Sequence, residues 1–315
     1  MRCNMSTLWY SIYMKQNLKL YLEQRLGESI DSVVPMFGGE VNQTYLVTTL
    51  SQKFVARINS KDEFRRFQKE KWCIEQAAHL GVTTSPVIDL GTYENESFML
   101  LTYIVGTSGM DFDNKEHTWQ TIGRYAKLIH SIPVQGFGED LDDITEGTAN
   151  SWAKYINDNL QSLTTPAQFY DQKIFTSNQA DYLVDIFKEL KSKTFTYGLS
   201  HGDMSLRNVI IDHSNDVHLI DWGSAESHVV PHYDLGVILI DSIDENSDYF
   251  KEVLAGYGLG AVEYDEIRGD IQTLMLLIAF DKVRWAMDRK PERLSSAIEH
   301  FRKMYEWKVS GILKH

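Results

Sequence analysis

The residues best suited to chemistry lie between Ser200 and Gly223, in the run S-H-G-D-M-S-L-R-N-V-I-I-D-H-S-N-D-V-H-L-I-D-W-G. Asp203 and Asp221 are carboxylates, and Asn208 carries an amide oxygen. A hard cation such as Mg²⁺ takes oxygen ligands and is usually held by one or two carboxylates together with substrate phosphates. One of the two carboxylates would then be free to act as a base. The elements that must position these groups are legible around them. Val209-Ile210-Ile211 and Val217 to Ile220 are short apolar runs, and Ser214-Asn215-Asp216 between them is rich in turn residues. β-Branched runs flanking such a patch predict a β-hairpin. A hairpin brings its outer ends together, so Asn208 and Asp221 become neighbours, with Asp203 on the loop that feeds the first strand. Two alternatives use the same letters. One is a surface hairpin with scattered acids. The other is a metal-dependent hydrolase built on His201, Asp203 and Asp221, which lacks a second His cluster with ligand spacing.

The pattern Asp203-x-x-x-x-Asn208, hairpin, Asp221 resembles the catalytic loop and metal-binding Asp of the protein-kinase superfamily. In its local form, His201-Gly202-Asp203 with Ile220-Asp221-Trp222-Gly223, it resembles the aminoglycoside phosphotransferase and choline kinase branch. The two halves together are specific, whereas either alone is weak.

Composition narrows the field. The chain has 315 residues, 43% hydrophobic and 24% charged, enough for two lobes with real cores. A net charge of −13 disfavours binding to a nucleic-acid backbone and suits a cationic partner, although acidity also serves solubility alone. Two cysteines, Cys3 and Cys73, make no disulfide framework, which fits a reducing, cytoplasmic setting. No apolar run is long enough for a membrane helix. The opening residues carry no signal-peptide cleavage pattern, and Met5 and Met14 offer alternative starts.

Along the chain, Lys15 to Leu26 has helical spacing and is stopped by Gly27. Val33 to Thr48 reads as strand, glycine turn, strand. Its glycines, Gly38 and Gly39, would let backbone amides approach a phosphate; taken alone a plain hairpin turn explains them, but beside the Ser200–Gly223 stretch a nucleotide-covering loop is the better reading. The segment is similar to the G-G-x-x-N-x-x-Y pattern of the same branch, which implies nucleotide contacts at Gly38, Gly39, Asn42 and Thr44. Lys53 to Ile58 is the next strand. The resemblance places the phosphate-binding cation at Arg57, with Lys53 competing because both project from one face. A guanidinium fork suits phosphate. Lys61 to Leu80 is helical and would supply the acid that braces that cation, Glu70 ahead of Glu75. Strands at Val87–Leu90 and Phe98–Ile104 lead to a hinge, where the resemblance implies adenine contacts at Thr102, Tyr103 and Ile104.

Beyond the hinge, Trp119–His130 is a helix with His130 at its apolar end, read as a packed core histidine. The acidic loop Gly136–Asp143 precedes Trp152 and Tyr155 on another helix. An acidic loop beside aromatics could receive a cationic acceptor, which makes Asp140 and Trp152 candidates, or could simply be solvated. Asn178–Leu190 is helical. After Asp221 there is no room for the activation loop and A-P-E element that grip a polypeptide, which points to a small acceptor. The resemblance implies that Asp234 braces the catalytic loop and that His201 supports it. Near the end, Ile271, Leu274, Ile278, Asp281 and Trp285 share a helical stripe. A carboxylate there needs a cation, from an internal Arg or from substrate, which makes Asp281 and Trp285 candidates.

The resemblance implies an α+β, two-lobed, protein-kinase-like fold. Residues 1–103 would form a small antiparallel-sheet nucleotide lobe and residues 104–315 a larger, mostly helical catalytic lobe. It implies transfer of the γ-phosphoryl group of ATP or GTP to a hydroxyl of a small cationic molecule. Asp203 would be the base, and Asn208 and Asp221 would hold Mg²⁺. The acceptor expected is an aminoglycoside-type antibiotic, with a macrolide, choline or ethanolamine, or a sugar-like metabolite as alternatives. A nucleotide-binding pseudokinase scaffold is the alternative outside enzymes.

Overall fold

A computed structural model describes residues 19–36, 42–134, 136–138 and 151–313. Gly38, Gly39 and Asp140 lie outside the described residues. The N-terminal region is a five-stranded antiparallel sheet of order β1-β2-β3-β5-β4. It is built from β1 (Ile30–Met36), β2 (Gln43–Thr49), β3 (Lys53–Ser60), β4 (Val87–Tyr93) and β5 (Glu96–Thr102). Helix α1 covers residues 19–26, and α2 (Phe64–His79) crosses between β3 and β4.

Strand β3 shows why both faces of this sheet are covered. Its alternate residues Phe54, Ala56 and Ile58 are buried with Leu22 of α1, Ile30, Val47, Phe98 and Leu100. Removing each large side chain from water is worth about 1.5–3 kcal/mol. Val55 and Arg57 point the other way, toward α2. On α2, Phe67, Glu70, Cys73, Ile74 and Ala77 are the buried positions. They follow helical spacing, with one carboxylate among the apolar groups. Gly81, at φ +90°, ends the helix in a conformation that suits glycine.

The C-terminal region is mostly helical: α3 (Lys115–His130), α4 (Ser151–Thr164), α5 (Ala167–Asp171), α6 (Ser177–Ser192), α7 (His232–Asp241), α8 (Asp248–Tyr257), α9 (Ala261–Arg289) and α10 (Leu294–Ser310). In α9, Ile271–Leu277, Ala279 and Phe280 are all buried, mostly apolar with Gln272 and Thr273 among them, so its middle is enclosed all round and forms the axis of the core. Among the described residues, no helix is long and apolar enough to cross a membrane.

Two small sheets carry the functional loops. Strands β7 (Tyr197–Ser200) and β10 (Glu226–Val229) pair antiparallel. Strands β6 (Gly106–Ser108), β8 (Val209–Asp212) and β9 (Val217–Leu219) form the other sheet. The antiparallel N-terminal sheet and helical C-terminal region are the α+β, kinase-like arrangement expected. The apolar core itself does not break at residue 103. Phe67, Ile74, Met99 and Leu101 belong to the same cluster as α3, α7 and α9.

Candidate active site

The predicted hairpin is β8–β9, with Val209 opposite Leu219 and Ile211 opposite Val217. Asp212 Oδ1 accepts the amides of Ser214 (2.8 Å) and Asp216 (3.0 Å), and Asn215 takes φ +65°. These are the turn devices expected of Asp and Asn. At the open end, the Ile220 amide donates to Asn208 O at 2.9 Å, so the residue before Asp221 is bonded directly to Asn208.

Asp203 stands beside them. Asn208 Nδ2 donates to Asp203 Oδ2 (2.8 Å) and to its carbonyl oxygen (2.9 Å). Arg207 Nη2 donates to Asp203 Oδ1 at 3.0 Å. The Asp203 side chain is still 29% exposed, so its remaining lone pairs can meet a hydroxyl.

Asp221 adopts φ +61°, ψ +68°, a left-handed conformation that Asp tolerates better than most residues. Trp222 anchors the turn. Its ring is buried, and its Nε1 donates to Thr84 Oγ1 (3.1 Å) and Leu219 O (3.3 Å). With Trp222 fixed inward, the Asp221 carboxylate faces out and is 54% exposed.

The loop beneath is held by Asp234, at the first turn of α7. Its carboxylate accepts the amides of His201 (3.1 Å) and Gly202 (2.8 Å). His130 Nε2 lies 2.8 Å from Asp234 Oδ2, and a carboxylate only accepts, so the proton sits on Nε2. Burial opposes ionisation of Asp234. The hydrogen bond and charge of His130 and the Gly202 amide outweigh it and hold the carboxyl at about 2. His201 is fully buried between the Asp203 amide, which donates to Nδ1 at 3.3 Å, and Ile220 O, 3.2 Å from Nε2. Burial lowers its pKa, although the surrounding carboxylates pull the other way, so it is a neutral strut. Gly202 has φ +76°, and a Cβ there would lie 2.5 Å from Ser224 O. The loop therefore requires glycine.

The cation and its acid also meet. Arg57 pairs with Glu70 through Nη1, and its Nη2 lies 3.6 Å from Asp221 Oδ1. Burial raises the pKa of Glu70, and Arg57 counteracts this. The competing candidates lie elsewhere. Lys53 Nζ stands 5.9 Å over the Tyr103 ring, and Glu75 pairs with Lys71 at 3.4 Å. Alternation along β3 could not separate Lys53 from Arg57. The apolar face of α2 could have separated Glu70 from Glu75, since Glu70 sits three residues after Phe67 and three before Cys73.

Around the nucleotide end, Asn42 Oδ1 accepts from Asn59 Nδ2 at 2.7 Å, and Thr44 lies opposite Arg57 on β2. Strand β5 ends at Thr102, two residues earlier than expected. The amides of Thr102 and Tyr103 are already bonded to Pro86 O (3.0 Å) and Lys53 O (3.1 Å). Of the three expected adenine contacts, those two amides are therefore occupied. The Ile104 amide has no hydrogen-bond partner among the described residues.

The donor set fits a hard divalent ion. Both Asn208 Nδ2 bonds go to Asp203, which leaves its amide oxygen as a free acceptor, and Asp221 presents an outward carboxylate. Among the described residues there is no cluster of three His, Cys, Asp or Glu able to hold a metal unaided. A divalent ion held by Asn208 and Asp221 would complete its shell with phosphate oxygens and water.

On the acceptor side the expected residues separate. Trp152 is buried in an aromatic group with Phe137 and Phe195, so its ring is taken up by packing rather than offered to a ligand. Asp281 found the internal cation: Arg284 Nη1 donates to it at 2.9 Å. Burial raises its pKa, while Arg284, Asn159 and Tyr155 lower it. Trp285 is exposed on the same helix.

Two residues escaped the sequence reading. His130, taken as a packed core residue, is a direct partner of Asp234. A contact spanning 104 positions leaves no local signal. Arg207 escaped because it lies inside the motif at a position the motif leaves open.

A family model described as the phosphotransferase enzyme family matches residues 33–269, which includes Arg57, Glu70, Asp203, Asn208, Asp221 and Asp234. A probable ketoamine kinase of Vibrio parahaemolyticus is 22% identical over 212 residues, covering 65% of this chain and 70% of that protein. The structure of aminoglycoside phosphotransferase APH(4)-Ia superposes with a TM-score of 0.66 at 16% identity, covering 92% of this chain and 97% of that one. A putative fructosamine-3-kinase from Haemophilus somnus superposes with a TM-score of 0.60 at 17% identity, covering 91% and 96%. The chain belongs to the phosphotransferase enzyme family, as a small-molecule kinase with the protein-kinase-like fold.

Proposed function

We propose that this enzyme transfers the γ-phosphoryl group of ATP or GTP to a hydroxyl of an amine-bearing sugar compound, with Mg²⁺ as the metal. The observation that carries the reading is the Asp203 carboxylate, fixed by Asn208 at 2.8 Å and partly open. Asp203 orients the acceptor hydroxyl and takes its proton as the phosphoryl group leaves the nucleotide. Asn208 and Asp221 hold the metal, which neutralises phosphate charge. Arg57, braced by Glu70, binds the α- and β-phosphates. Asp234 and His201 keep the loop in place. Phosphoryl transfer is mostly positioning and charge neutralisation, and each of these residues does one or the other.

Solved relatives support a nucleotide donor and a small acceptor, since APH(4)-Ia has been captured with ADP and hygromycin B. The acceptor has two arms, an aminoglycoside-type antibiotic or a ketoamine, and both carry amines that suit a chain of net charge −13. The first arm makes the enzyme a resistance factor, and the second makes it a kinase of sugar–amine adducts. A nucleoside triphosphate donor and the free Cys73 thiol favour a cytoplasmic setting.

The test is a coupled ADP-release screen against aminoglycosides, fructosyl amines, macrolides and amino alcohols, with Mg·ATP and Mg·GTP as donors. Turnover stimulated by an amine-bearing sugar supports the reading and chooses the arm. Tight Mg·ATP binding with no stimulation by any acceptor supports the scaffold alternative instead.

A further inference from the structure

We propose that Arg207 is a positioning residue for phosphoryl transfer: it fixes the Asp203 carboxylate and offsets its charge as the transferred group arrives. The inference rests on the reading of Asp203 as the base.

Chain geometry sets Arg207 apart from a chance surface pair. Leu206–Asn208 is a single 3-10 turn rather than part of an α-helix, so Arg207 and Asp203 are not neighbours on a regular helix face. Met204, Ser205 and Leu206 between them are all buried, while Arg207 is 56% exposed on the side where Asp203 opens. An exposed ion pair adds only about 0–1 kcal/mol to stability, so folding gains little from this contact. The chemistry gains more. Asn208 holds Oδ2 and Arg207 holds Oδ1, so each carboxylate oxygen has its own donor and the group cannot rotate freely.

Charge gives the second reason. The phosphoryl group must reach an acceptor oxygen that is hydrogen-bonded to Asp203, so two anions converge there. The guanidinium places one fixed positive charge beside that point. It has five N–H donors, and Asp203 is its only hydrogen-bond partner among the described residues. The remaining donors are available to an incoming phosphoryl oxygen. No bond is made or broken by Arg207. The proton leaves the acceptor hydroxyl for Asp203, and the phosphoryl group passes from nucleotide to acceptor oxygen.

The experiment compares wild type, Arg207→Ala and Arg207→Lys by ADP release from Mg·ATP, with water and with the acceptor that the screen identifies, and Mg·ADP affinity by calorimetry. Arg207→Ala should lower kcat by about 10²-fold, the scale of a lost positioning contact, with KM for Mg·ATP and the Mg·ADP Kd within about twofold of wild type. Arg207→Lys should recover part of the loss, and millimolar guanidinium should raise the alanine variant's rate. Unchanged kcat in the alanine variant overturns the inference, as does a loss confined to KM or matched by weaker Mg·ADP binding. A wild type that binds Mg·ADP and turns over ATP neither with water nor with any acceptor of the screen removes the reading of Asp203, and this inference with it.

Discussion

Arg57 bridges two carboxylates that arrive from different parts of the chain: Nη1 holds Glu70 on α2, and Nη2 stands 3.6 Å from Asp221 after β9. Glu70 is only 4% exposed, so its charge depends on that guanidinium. Removing one partner of a buried ion pair costs about 3–5 kcal/mol, because the other is left uncompensated. Arg57→Ala should destabilise the protein on this scale in urea unfolding at neutral pH. Burial raises the Glu70 pKa in the folded state, so the charged form is the unfavourable one. Without Arg57, the carboxyl is relieved by protonation, and the deficit should shrink as pH falls below neutral. A deficit typical of a surface pair, below about 1 kcal/mol, would contradict the buried pairing.

Gly202 is required by backbone geometry. Alanine at φ +76° would cost roughly 1–2 kcal/mol for the left-handed conformation alone. Its Cβ would also collide with Ser224 O, a backbone atom that cannot swing aside. Gly202→Ala should therefore lower the unfolding midpoint and also reduce turnover, because relief of the collision moves the neighbouring Asp203. A variant with wild-type stability and turnover would show that the loop has slack.

The buried histidines predict acid sensitivity. Burial lowers His228 to about 3 and His232 to about 4, against an ordinary value near 6.5. A depressed folded-state pKa contributes stability that is present above the unfolded value and lost as pH falls toward the folded one. Stability should decline from about pH 6.5 downward, as the unfolded chain takes up protons that the folded chain refuses. His228 stacks on Tyr233 at 3.7 Å, and phenylalanine keeps that packing. Stability measured in urea across this range should fall less steeply in His228→Phe. An unchanged slope would contradict neutral burial of His228.

Much of this was legible in the sequence because local signals and site agree. The β8–β9 hairpin follows from two β-branched runs and an Asp/Asn turn, and it alone brings Asn208 toward Asp221. The long helices α3, α6 and α9 follow from apolar spacing. Strands β6, β7 and β10 have three or four residues each, too few for a period to show, yet β7 and β10 carry the catalytic loop and the segment after Trp222. Contacts between distant positions were also hidden. Nothing near His130 indicates Asp234, and nothing near Trp152 indicates that Phe137 and Phe195 enclose it. Asp281 was recognisable as a carboxylate in need of a cation. That Arg284, three residues on, supplies it became clear only from side-chain directions.

Turnover of Asp203→Asn tests the central claim most directly, measured with Mg·ATP and the acceptor found by the screen, alongside Mg·ADP affinity. Loss of a general base should slow kcat by about 10²–10⁴-fold, roughly 3–5 kcal/mol of barrier, with nucleotide affinity nearly intact. Undiminished turnover in that variant would contradict Asp203 as the base.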